Sequence, residues 1–175
     1  GGSYEGPKLL HEFTETKDNL FFITGPDKDE FLSLVKPRLK EKNLYVFISK
    51  SFSTDEVLLS HSWLPKNILK KNLFAITANK SKAMEFGFVE QNIIDFPESI
   101  GGRYSIWSQV NSPVLQPNEC RNFLKGAASI DNNVQKKSTV KSALKNIVFH
   151  DIWSHNFMDK KNRVILSYNW KLRSI

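Results

Sequence analysis

The sequence predicts an α/β protein built on a parallel sheet, and three observations carry that expectation. Four short apolar runs, at 20–24, 44–48, 73–77 and 92–96, are β-branched or aromatic and nearly continuous, as strands buried on both faces should be. Segments with helical spacing separate them, the alternation that parallel strands with crossover helices require. Loops rich in hydroxyls or glycine follow the second and fourth runs, where open parallel sheets bind their ligands.

The elements follow in order. Gly1-Gly2-Ser3-Tyr4-Glu5-Gly6-Pro7 has the composition of a ligand loop, its glycines permitting close backbone approach, with a helix expected over 7–13 behind it. After the run at 20–24, residues 27–42 place Phe31, Leu32, Val35 and Leu39 at helical spacing. Helices are likewise expected over 54–63 and 79–86, each between two apolar runs. Past Phe96 the alternation stops and helices dominate: 102–109, then 117–135 opened by Pro117, then 140–157 with apolar Ala143, Ile147, Val148, Ile152 and Trp153. A last strand is expected over 163–168. The expected domain boundary falls in Ser112-Pro113 to Gln116-Pro117, dividing a ligand-binding domain at 1–112 from a helical extension with one strand at 113–175.

Composition narrows the function classes. At 175 residues and 40% hydrophobic, the chain can bury a real core. No stretch approaches the roughly 20 apolar residues that span a bilayer, and the start lacks a signal pattern, so a soluble cytoplasmic protein without a membrane partner is expected. Cys120 is the single cysteine and fits a reducing compartment. The net charge is +7, but the basic residues are scattered, without interleaved aromatics or a zinc-finger or helix-turn-helix signature, so no nucleic-acid partner is expected. No His/Cys/Asp/Glu cluster has metal-ligand spacing.

Chemistry concentrates in the loops. Ser49-Lys50-Ser51-Phe52-Ser53-Thr54 brings four hydroxyls and one ammonium into six residues between a strand and a helix N-terminus, an arrangement suited to an anion. Two readings stay open: a phosphate clamp, or a well-capped helix in which Ser53 and Glu56 form a capping box. Gly101-Gly102-Arg103 offers a tight turn and a forked, permanently charged guanidinium, suited to an oxyanion or enediolate or, more plainly, to an ordinary turn into a helix. Ser49 and Lys50 do not form a nucleophile and base, since neighbours at an extended strand end point to opposite faces.

Taken together, Gly1-Gly2-Ser3-x-x-Gly6-Pro7, Ser49-Lys50-Ser51-Phe52-Ser53-Thr54 and Gly101-Gly102-Arg103-Tyr104-Ser105-Ile106-Trp107-Ser108 resemble, in order and spacing, the signatures of the glucose-6-phosphate isomerase family. Phe86-Gly87 and Phe123-Leu124-x-Gly126-Ala127 extend the resemblance over most of the chain. It implies a three-layer, flavodoxin-like sugar-isomerase (SIS) domain whose first strand is missing from the chain, followed by helices leading to a second such domain.

The resemblance also implies a mechanism. Ser49, Ser51 and Thr54 would hold the substrate phosphate, with Lys50 adding backbone and charge, while Gly2 and Ser3 would contact the sugar. Arg103 would steady the cis-enediolate formed as glucose 6-phosphate and fructose 6-phosphate interconvert in glycolysis and gluconeogenesis. No metal or cofactor is implied, and the complete enzyme would be a homodimer acting on a hexose phosphate. Two departures stand out: Ser51 and Ser53 occupy positions where the family usually has Thr, and Leu166-Ser167-Tyr168-Asn169-Trp170 stands where it shows Pro-Tyr-Asp-Gln. The family's general base lies in a Glu-Ser-Asn-Gly stretch beyond Ile175, and His11, His61, His150 and His155 match none of its catalytic positions. The expectation is therefore a fragment carrying the clamp and the arginine without the base, the alternative being a non-catalytic sugar-phosphate-binding module.

Overall fold

The computed structural model describes residues 2–14, 19–39, 42–136 and 138–169. In chain order they form α1 (Glu5–Thr14), α2 (Lys28–Val35), β1 (Tyr45–Ile48), α3 (Asp55–Ser62), β2 (Leu73–Thr77), α4 (Lys80–Glu85), β3 (Ile93–Asp95), α5 (Pro117–Gln135) and α6 (Thr139–Phe157). Short 3₁₀ turns intervene, among them Lys36–Arg38, Gly102–Trp107 and Gln109–Asn111. The chain divides into two compact units, one reaching Leu115 and the other starting at Gln116.

The first unit is α/β. Its three strands are parallel in the order β1-β2-β3, with Phe47 opposite Ala75, Ile48 opposite Ile76, and Ile76 opposite Ile94. Successive side chains point to opposite faces, and both faces are covered. Phe47, Leu73 and Ala75 pack with Phe52, Ala83 and Phe88, joined by Val57 and Leu58 of α3. On the other face Ile76 packs with Phe96 and Val110, joined by Ile48, Ile94 and Ile100. Double burial explains the continuous apolar run of the central strand β2, and a side chain such as Ile76, with no exposed surface, contributes about 1.5–3 kcal/mol relative to an exposed one. Helix α1 lies against the Gly102–Trp107 turn, and the approach needs glycine: a Cβ on Gly6 would meet the Cβ of Ile106 at 2.9 Å.

Local signals set the helix ends. The Asp27 carboxylate accepts from the amides of Asp29 at 2.8 Å and Glu30 at 3.0 Å, opening α2. In the second unit Pro117 stands in the first turn of α5 while Glu119 accepts from the Gln116 amide at 2.8 Å, and the Ser138 hydroxyl accepts from the Lys141 amide at 3.2 Å to open α6. Helices α5 and α6 pack on each other. Among the described residues no helix is long and apolar enough to cross a membrane.

Four sequence expectations are corrected. The run at 20–24 is not a strand: with residues 44–48 it lines an apolar cavity of about 250 Å³, so that segment and β1 face each other across space instead of sharing a ladder. The run at 163–168 is likewise coil, with Val164 76% exposed and no strand pairing among the described residues. The helix expected over 27–42 stops at Val35 and tightens into Lys36–Arg38, where Pro37 removes an amide donor; residues 40–41 lie outside the described residues. The helix expected over 102–109 is two 3₁₀ turns separated at Ser108. Serine hydroxyls favour the tighter turn by donating three residues back, Ser105 to the Gly102 carbonyl at 2.6 Å and Ser108 to the Ser105 carbonyl at 2.7 Å.

Candidate functional site

Parallel strands deliver their following loops to one end of the sheet, and an open cleft of about 980 Å³ lies there. Ser49, Lys50, Ser51 and Thr54 line one side, Gly2, Ser3 and Gly102 another, and Asn79, Lys80, Ser81, Asp95 and Glu98 complete the lining from the ends of β2 and β3. Six of the seven residues expected from the sequence thus share one cleft. Arg103 is the exception: its side chain is exposed and does not line the cleft. Its stem nevertheless lies beside the glycine loop, since a Cβ on Gly2 would sit 3.1 Å from Arg103 Cγ. Gly1 lies outside the described residues.

The hydroxyl-rich loop is tied in pairs. Ser49 Oγ and Thr54 Oγ1 are 2.9 Å apart, and Ser51 Oγ and Ser53 Oγ are 2.6 Å apart. A bonded pair of hydroxyls uses one hydrogen, so each pair keeps one O–H donor for a ligand, beside the Lys50 ammonium. The expected capping box is absent. Thr54, not Ser53, is the residue before α3, and no side chain caps that helix because the Thr54 hydroxyl is bound to Ser49 and the Ser53 hydroxyl to Ser51. Neither Ser53 nor Thr54 serves the cap.

Sequence reasoning passed over Phe52, the one residue of the loop without a polar group. Its φ is +50°, a left-handed conformation that is costly for a bulky residue, yet its side chain is fully buried. The ring packs edge-on to Phe88 at 5.3 Å and near Phe86 at 5.9 Å, so aromatic packing holds the loop while Ser51 and Ser53 stay exposed. Asn79, Lys80, Ser81, Asp95 and Glu98 were also passed over, although the rule that pointed to the loops after 48 and 96 applies equally after Thr77. Lys80 Nζ and Asp95 Oδ1 lie 3.6 Å apart, both more than half exposed, and such a pair adds little stability. Among the described residues no three His, Cys, Asp or Glu side chains gather at metal-binding distance.

Fold and cleft together define an α/β domain of the open parallel-sheet class with a polar cleft at the carboxyl ends of its strands. The family model for phosphoglucose isomerase matches residues 1–175, and the chain belongs to that family. It is 30% identical over 190 residues to a glucose-6-phosphate isomerase of Ectopseudomonas mendocina, covering 99% of this chain and 34% of the relative. A glucose-6-phosphate isomerase 1 of Colwellia psychrerythraea is 29% identical over 194 residues, covering 100% of this chain and 35% of the relative. The chain thus spans about a third of the length of these relatives. A crystal structure of a hypothetical protein from Thermus thermophilus shares the fold, with a TM-score of 0.70 at 24% identity over 89% of this chain and 40% of that one.

Proposed function

We propose that this chain is the phosphosugar-binding part of an aldose–ketose isomerase that interconverts glucose 6-phosphate and fructose 6-phosphate through a cis-enediolate. The observation that carries the reading is the meeting of Ser49, Lys50, Ser51 and Thr54 with Gly2, Ser3 and Gly102 in one cleft. In this reading the phosphate takes the two free hydroxyl donors and the Lys50 charge, and Gly2 and Ser3 face the sugar. Proton transfer between C2 and C1 is assigned to a carboxylate outside these 175 residues, with Arg103 approaching the enediolate oxygen. The complete enzyme is a cytoplasmic homodimer of glycolysis and gluconeogenesis that requires no cofactor. The exposed side chain of Arg103 favours a second, narrower reading for the chain by itself, in which it binds sugar phosphate without turning it over.

Titration calorimetry with fructose 6-phosphate and with free fructose tests the binding role. The proposal expects clear preference for the phosphorylated sugar, weakened by salt. Equal binding of both sugars, or of neither, would overturn it. A coupled assay tests the placement of the base, since turnover by the isolated chain would contradict a base outside these residues.

A further inference from the structure

We infer that Thr77, a buried residue at the end of β2, is a positioning residue for the phosphate loop. The inference rests on the phosphosugar reading of the cleft only for its functional consequence. Thr77 has no exposed surface, and its hydroxyl donates to the Lys50 carbonyl at 3.0 Å while accepting from the Asn79 amide at 3.1 Å. The Ala78 amide donates to the same Lys50 carbonyl at 3.0 Å, so both lone pairs of that oxygen are engaged by the end of β2. The Thr77 carbonyl in turn accepts from the Phe96 amide at 3.0 Å, tying β3's following loop to the same point.

This contact fixes the orientation of a peptide plane. In a trans peptide the carbonyl of one residue and the amide of the next point in opposite directions. With the Lys50 carbonyl drawn to β2, the Ser51 amide is turned away from it, and Ser51 lines the cleft. Thr77 therefore acts on a ligand through the Lys50–Ser51 peptide without touching it. Its second bond, to the Asn79 amide, extends the same constraint to Asn79, which also lines the cleft. Valine has almost the same shape as threonine and keeps the packing of β2, but it cannot donate to Lys50 or accept from Asn79.

The test uses the whole chain with Thr77→Val and Thr77→Ser, and Thr77→Cys, close in shape to serine but a weak donor, should the valine variant not fold. Hydrogen exchange of the Phe52 amide, which donates to the Ser49 carbonyl at 3.3 Å, is expected to quicken about tenfold in Thr77→Val, the scale of one lost hydrogen bond, with exchange in α5 unchanged. Thr77→Ser should restore the wild-type rate. Affinity for fructose 6-phosphate should fall by a similar factor and return with serine. Wild-type exchange of the Phe52 amide in the valine or cysteine variant would overturn the inference, as would failure of serine to rescue. If the wild-type chain does not bind fructose 6-phosphate, the functional reading falls, and the exchange rates still decide the role of Thr77.

Discussion

The Ser3 hydroxyl is seated against the α-carbon of Gly102: a methyl group placed on Gly102 would meet Ser3 Oγ at 3.0 Å and the Ser3 amide nitrogen at 3.4 Å. Two loops more than ninety residues apart in sequence thus approach so closely that a side chain at position 102 would make Ser3 give way by a few tenths of an ångström. Gly102→Ala should displace Ser3, which is buried and cannot retreat freely, and lower affinity for fructose 6-phosphate roughly tenfold, at the low end of overpacking costs. Titration of wild type and variant measures it, and unchanged affinity would argue that Ser3 takes no part in binding.

Thr54 and Arg103 should divide the work of binding and catalysis in a complete enzyme. Thr54→Ala breaks the 2.9 Å pair with Ser49 and should raise KM with little change in kcat. Arg103→Ala should lower kcat more than it alters KM, because its charge is needed only as the oxyanion develops. Steady-state kinetics of both variants provide the comparison, and matching effects would count against the assigned roles.

Phe52 should dominate the stability of the Ser49–Thr54 loop. The buried ring offsets an unfavourable left-handed backbone, so Phe52→Ala loses the packing and keeps the strain. Urea denaturation should show a loss of about 3 kcal/mol or more, in the range for a buried phenylalanine. A loss under about 1 kcal/mol would mean that the loop is held by other contacts.

His61 should give the fold a dependence on pH. Its ring lies 5.3 to 5.9 Å from those of Phe47, Phe86 and Phe88, and burial holds its pKa below the ordinary 6.5. The folded chain then binds fewer protons than the unfolded chain, so this contribution is fully present above about pH 6.5 and declines as the pH falls toward the folded-state value. His61→Phe keeps an aromatic ring there and should flatten the stability profile between about pH 7 and 5. Denaturation midpoints across that range test this, and parallel profiles for the two proteins would contradict it.

Gly87 should be intolerant of substitution for a purely conformational reason. Its φ is +91°, and it ends α4 with its amide on the Met84 carbonyl at 2.9 Å and the Phe88 amide on the Ala83 carbonyl at 3.2 Å. Nothing lies within 4 Å of where a methyl group would stand, so Gly87→Ala measures backbone strain alone, about 1 kcal/mol by denaturation, without effect on ligand affinity.

The sequence by itself determined the elements whose causes are local or doubly enforced. The strand at 73–77 was legible because burial on both faces leaves an unbroken apolar run, those at 45–48 and 93–95 because short β-branched or aromatic runs flank it in the same alternation, and α5 because Pro117 marks its start. Residues that follow such strands were legible as cleft candidates, since a parallel sheet sends its loops to one end. Only the tertiary structure decided what depends on a partner distant in sequence. The runs at 20–24 and 163–168 have strand composition but pair with no strand among the described residues, and a ladder needs two strands. The hydroxyls of Ser53 and Thr54 have local caps within reach, yet Ser51 and Ser49 hold them instead. Thr77 read as one more residue of an apolar run, and its role became visible only where its hydroxyl meets the carbonyl of Lys50, twenty-seven residues earlier.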